Sequence, residues 1–160
     1  MSDSAAAARS AIEAWFAAQA TDAEGITAQR VENGWLTVLA GERKRTLPVF
    51  LEVGEHTLSL QAFFMTAPEE GFAELFALFL RRHLRSYVAR FALEPAGDVL
   101  IVAVLPVAAV TVDELDRVLG QVLQLADDTY MEALRLGFAS YIEREQAWRE
   151  RVGLARNPIT

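Results

Sequence analysis

Along the chain, apolar positions recur first with a helical period, then with a period of two, then with a helical period again, and these switches lay out the elements. Residues 4–20 are alanine-rich, with Ile12, Trp15 and Phe16 at helical spacing. Alanine is the strongest helix former, so this stretch predicts an opening helix with one narrow apolar stripe. Over residues 26–65 the period is two, and Asn33-Gly34 supplies residues that tolerate φ > 0 in a tight turn, which predicts a hairpin of 26–32 with 35–40. Leu47, Val49, Leu51 and Val53 alternate more strictly, and Gly54-Glu55 sets up a second hairpin with 57–65.

Thr66-Ala67-Pro68-Glu69 has the capping-box order, with Pro68 in the first turn, and predicts a second helix from there to about Ser86. Phe72, Leu75, Phe76, Phe79, Leu80 and His83 form one broad apolar face of it, while Ala73, Ala77, Leu78 and Leu84 leave the opposite flank apolar too. A helix apolar on nearly all sides is normally buried on both, and a small domain offers only one internal layer. The flank of Ala73, Ala77, Leu78 and Leu84 is therefore the candidate dimer interface, packed across a two-fold axis.

Residues 88–94 alternate, Pro95-Ala96-Gly97-Asp98 is dense in turn residues, and 99–105 is continuously apolar, as in a strand covered on both faces. Thr111-Val112-Asp113-Glu114 repeats the capping-box order and opens a third helix with core positions Leu115, Val118, Leu119, Val122 and Leu125. Asp127-Asp128-Thr129 is expected to break and recap it, after which Leu134, Phe138, Ile142 and Trp148 carry a stripe to about Arg151. Residues 1–3 and 153–160 are expected to be flexible ends. The pattern is a single α+β domain over 1–160, an antiparallel sheet with helices packed on it.

Composition narrows the function. The 160 residues are 52% hydrophobic and 23% charged, as in a folding globular chain, and contain no cysteine, which excludes disulfides, thiolate metal sites and a cysteine nucleophile. The N-terminal residues have no basic stretch and no apolar run of signal-peptide type, and the longest apolar run holds Pro106 and is too short for a bilayer, so a cytoplasmic chain with no membrane partner is expected. A net charge of -7 opposes nucleic-acid binding.

Catalytic signals are missing as well. His56 and His83 do not pair, no G-x-S-x-G or glycine-rich phosphate motif occurs, and Glu69-Glu70, Asp113-Glu114 and Asp127-Asp128 stand where helix starts favour anions. No catalytic residue, metal site or cofactor is expected. Arg81, Arg82, Arg85 and Arg90 stand out against the acidic background; they favour a helix C-terminus and are also the candidate rim for a partner segment.

The stretches LPVFLEVGEHTLSLQAFFM, LRRHLRSYVARFALEPAGDVLIV, LPVAAVTVDELDRVLG and GFASYIEREQAWR resemble actinobacterial YbjN-domain proteins over roughly Trp35 to Arg149. The likeness departs at His83, where members often carry Asn, and at Thr66-Ala67, where an Arg is common. That family is described as sensory transduction regulators and is similar in fold to type III secretion chaperones. The resemblance implies an α-β-β-β-α-β-β-α order, here with an extra N-terminal strand and a broken last helix, and a non-enzymatic homodimer that binds an unidentified client protein or peptide. The alternative from another class is a regulatory domain that senses a small ligand between sheet and helices, with the arginines as its polar anchor.

Overall fold

The computed structural model describes residues 3–19 and 27–159; Ala20 and Ile26, expected in the first helix and first strand, lie outside them. Helix α1 (Asp3–Gln19) buries Ala5, Ala8, Ile12, Trp15 and Phe16, the stripe that its spacing predicts. Strands β1 (Thr27–Val31), β2 (Gly34–Leu39), β3 (Leu47–Val53) and β4 (Thr57–Met65) follow as a meander. Then come α2 (Phe72–His83), β5 (Arg90–Leu93), β6 (Val99–Pro106), a short 3-10 turn at Val107–Ala109, α3 (Val112–Gly137) and α4 (Ala139–Val152). The six strands form one antiparallel sheet in the order β1-β2-β3-β4-β6-β5. The architecture is the expected α+β one.

Strand alternation splits the sheet into two unlike faces. Trp35, Leu51, Leu60 and Ala103 align across four strands, as do Thr37, Val49, Ala62 and Ile101, and all are buried under α1, α2 and α3. Phe64 continues the buried phase of Leu58, Leu60 and Ala62, its ring meeting Phe79, Phe91 and Tyr130 edge-on, and a bulge between Phe63 and Met65 lets Met65 be buried beside it. The interposed residues face away from the helices. The sequence expectation that 99–105 is covered on both faces is corrected: Val99, Ile101, Ala103 and Leu105 are buried, while Leu100 and Val102 are half-buried and Val104 is exposed.

Loops that looked locally determined are set by distant residues. The capping box at Thr66 is not used: α2 starts four residues after Pro68, with left-handed Gly71 (φ 65°) as N-cap and no side-chain cap. The Glu69 and Glu70 N–H groups donate to Gly137 O (2.9 and 3.2 Å), and the Glu70 carboxylate accepts from Ser140 N–H at the start of α4 (2.7 Å). This loop thus joins the end of α3 to the start of α4. At Thr111 the N-cap half of the box is present, its hydroxyl accepting from Glu114 N–H at 3.1 Å, while the Glu114 carboxylate pairs with Arg117.

Helix α3 does not break at Asp127-Asp128-Thr129 but runs on to Gly137. Asp127 instead accepts the N–H groups of Arg43 and Lys44 (2.7 and 2.8 Å), anchoring the β2–β3 loop. The first hairpin turns through Glu32-Asn33, not Asn33-Gly34, because Val31 pairs with Gly34. Gly34 serves close approach: a Cβ there would lie 2.1 Å from Leu51 O. Beyond α4, Gly153 (φ 73°) reverses the chain, and Asn157 exchanges hydrogen bonds with Gln146 (both 3.0 Å).

Candidate protein-binding surfaces

Helix α2 buries Leu75 and Phe79, and Phe79 stacks on Phe91 of β5 with centroids 4.2 Å apart. Its outer side carries Ala73, Ala77, Leu80 and Leu84 at i, i+4, i+7 and i+11, one stripe along the helix and its C-cap. Leu80 is 67% exposed and Leu84 87%. Of the residues singled out from sequence, Ala73, Ala77 and Leu84 lie on this stripe; Leu78 is only 8% exposed and faces α3. Leu80, assigned by pattern to the inner face, is brought into the stripe because α2 rolls towards Phe91 and α3. Glu74 and Arg81 border the stripe one turn either side of Ala77.

The arginines divide into two kinds. Arg82 bonds Glu132 on α3 (3.3 Å), and Arg90 donates to the carbonyls of Ser86 and Ala89 (3.2 and 2.8 Å), closing the turn after α2. Arg81 and Arg85 are exposed and have no ion-pair partner among the described residues. Arg81, Arg82 and Arg85 line a groove of about 750 Å³ between α2 and α3, with Leu78, Leu125 and Asp128 on its walls. The groove lies outside the core. Between sheet and helices, where the small-ligand alternative would sit, Phe64, Leu60, Leu75 and Leu115 are fully buried and fill the layer.

His83 lies half-buried at the end of α2, its Nε2 accepting the Phe91 N–H at 2.8 Å. Burial, then the charge of Arg90, pushes its pKa below the ordinary value, so the imidazole is a neutral acceptor near pH 7. His56 is exposed in the β3–β4 turn. Among the described residues no three His, Cys, Asp or Glu side chains are grouped to hold a metal ion. No described helix is long and apolar enough to cross a membrane.

The larger surface is one that pattern reading missed. Leu36, Phe50, Gln61, Val102 and Arg90 align across five strands on the face away from the helices, with Val38, Pro48 and Leu100 in the next row. Among the described residues no helix covers this face. The signal was present in β2 and β6, where both phases of the alternation are apolar (Trp35-Leu36 and Val99 to Leu105), and a single chain covers only one phase.

An antiparallel sheet carrying helices on one face, with an apolar helix flank beside it, is an open-faced α+β fold. The chain belongs to the YbjN family, whose description reads "Putative bacterial sensory transduction regulator" and which matches residues 9–135, a stretch that ends before α4. An uncharacterized protein of Mycobacterium tuberculosis is 41% identical over 111 residues, 69% of this chain and 61% of the relative. One of Mycobacterium leprae is 35% identical over 121 residues, covering 76% and 66%. The chain thus spans about three fifths of the length of the curated tuberculosis relative it matches. A chain of the HopA1-SchA chaperone-effector complex superposes with a TM-score of 0.55 at 13% identity, covering 82% of this chain and 98% of that one. A chain of the ExoU-SpcU complex from the type III secretion system of Pseudomonas aeruginosa gives a TM-score of 0.49 at 14% identity, covering 80% and 98%.

Proposed function

We propose that this chain is a non-enzymatic, cytoplasmic protein-binding module, a chaperone-like homodimer that holds a segment of a client protein. The observation that carries the reading is the apolar surface left uncovered on the outer flank of α2. Small residues at Ala73 and Ala77 let a second helix approach closely, and Leu80 and Leu84 flank them. An antiparallel two-fold pairing centred near Ala77 sets Glu74 of one copy against Arg81 of the other, and the reverse, so the stripe is self-complementary in charge as an isologous interface requires. The open sheet face then remains for a client, as the likeness to a chain of a chaperone-effector complex supports.

Size-exclusion chromatography with light scattering tests the dimer: the wild-type chain is expected to be dimeric at micromolar concentration and the Ala77→Arg variant monomeric. A wild-type monomer removes this interface. Crosslinking in the native host, followed by mass spectrometry, tests the client; absence of any partner saturably crosslinked to the chain would refute client binding.

A further inference from the structure

Strand β6 has eight residues and its outer neighbour β5 only four, paired over Val99 to Val102 alone. The remaining half of that edge, Ala103 to Pro106, has no strand partner among the described residues. Hydrogen-bond alternation shows which groups point out of it. The Phe91 N–H is taken by His83, so Phe91 does not bond to β6; its neighbours Arg90 and Ala92 therefore make the ladder bonds to Val102 and Leu100. Two residues further on, Val104 directs both its N–H and its C=O outward, and Pro106, with no N–H to give, is tolerated at an edge.

The chain that would prolong β5 along this edge is held away from it. Gln121 of α3 accepts from both Val88 N–H (2.9 Å) and Ala89 N–H (3.0 Å), Ser86 Oγ donates to Ala89 O (2.6 Å), and Arg90 clamps the same turn. The position beside Ala103 to Pro106 is thus left without a strand among the described residues. Val104 on this edge is 58% exposed, and Tyr87, in the turn that leads into β5, is 54% exposed. Arg85, exposed and without an ion-pair partner among the described residues, lies in the turn between α2 and β5, a cation on a chain of net charge -7.

The geometry points to the outer edge of β6 at Val104 as the place where an extended acidic segment of a partner protein adds as a short strand. The occupant is extended because only a strand can meet paired outward N–H and C=O groups in the sheet plane, and acidic because the unpaired charge in the adjoining turn is the Arg85 guanidinium. This inference rests on the client-binding reading and names where and how the client is gripped.

The test uses the full chain and a fluorescent nonapeptide, Asp-Val-Thr-Val-Glu-Val-Thr-Val-Asp, with a version carrying Lys for each acid as control. Fluorescence anisotropy is expected to show saturable binding of the acidic peptide only, and amide exchange at Val104 is expected to slow on binding by about tenfold or more. Val104→Pro removes the outward N–H without touching the ladder to β4, and Arg85→Glu reverses the surface charge; each is expected to weaken binding by about tenfold. No saturable binding, equal binding of the Lys peptide, or unchanged binding by both Val104→Pro and Arg85→Glu overturns the proposal. Protection confined to Leu36, Phe50 and Val102 also overturns it while leaving client binding intact, and failure of crosslinking in the native host would strike the client reading itself.

Discussion

His83 and Phe91 hold the end of α2 against β5: the imidazole Nε2 accepts the Phe91 N–H at 2.8 Å, and the two rings stack with centroids 5.8 Å apart. The bond needs the neutral imidazole. Because burial and Arg90 lower the pKa in the folded state, the unfolded chain binds the extra proton below about pH 6.5 and the folded chain resists it. This contribution to stability is complete above the unfolded pKa and is lost as pH falls through the folded one. In His83→Asn the side-chain oxygen can still accept from Phe91 but does not titrate. Urea midpoints between about pH 7 and 5 are expected to fall less steeply for that variant than for the wild type. Equal slopes would show that His83 does not govern the acid limb.

Two glycines give opposite expectations under the same substitution. At Gly34 a Cβ would meet Leu51 O at 2.1 Å, backbone that cannot swing aside, so Gly34→Ala is expected to destabilise by about 1–3 kcal/mol. At Gly120, exposed on α3, a Cβ meets nothing within 4 Å, and Gly120→Ala is expected to stabilise by about 0.5–1 kcal/mol through helix propensity. Chemical denaturation of both variants checks the pair.

Asp127 holds the loop before β3 by accepting two backbone N–H groups, from Arg43 and Lys44. Asp127→Ala leaves both to find water and is expected to cost about 1–3 kcal/mol. Hydrogen exchange of the Arg43 and Lys44 amides is expected to rise in that variant while α3 stays protected. Intact protection of both amides would contradict the anchoring role.

These cases show why some of the fold was legible and some was not. The Thr111 cap was read correctly because its acceptor and donor are three residues apart, and the alternation of Leu47 to Val53 because one strand face meets one core. Asp127-Asp128 looked like a helix break because the role of Asp127 is 84 residues away at Arg43. Thr66 looked like a cap because nothing local tells that Gly137 O will collect the Glu69 and Glu70 N–H groups. On α2 the apolar excess was visible in sequence, but its division was not: whether Leu78 or Leu80 faces out depends on how Phe79 seats against Phe91. The open sheet face hid for a related reason, since a strand apolar in both phases reads as doubly covered, and sequence does not say whether the second cover belongs to the same chain.

Two buried hydroxyls make the last prediction. Thr37 on β2 and Thr129 on α3 are fully buried, and neither Oγ1 has a hydrogen-bond partner among the described residues. A hydroxyl taken from water without compensation costs about 1–3 kcal/mol by protein mutational data, and valine has nearly the same shape with a methyl in its place. In β2 the exchange also suits strand preference; in α3 the two β-branched residues differ little in propensity. Thr37→Val and Thr129→Val are therefore each expected to stabilise the fold by about 1 kcal/mol, raising Tm by about 2–4 °C, and because the sites lie on different elements the two gains are expected to add. Calorimetry of the single and double variants checks this. A fall in Tm for either variant would mean that its hydroxyl is paired in solution, by water or by a shifted carbonyl.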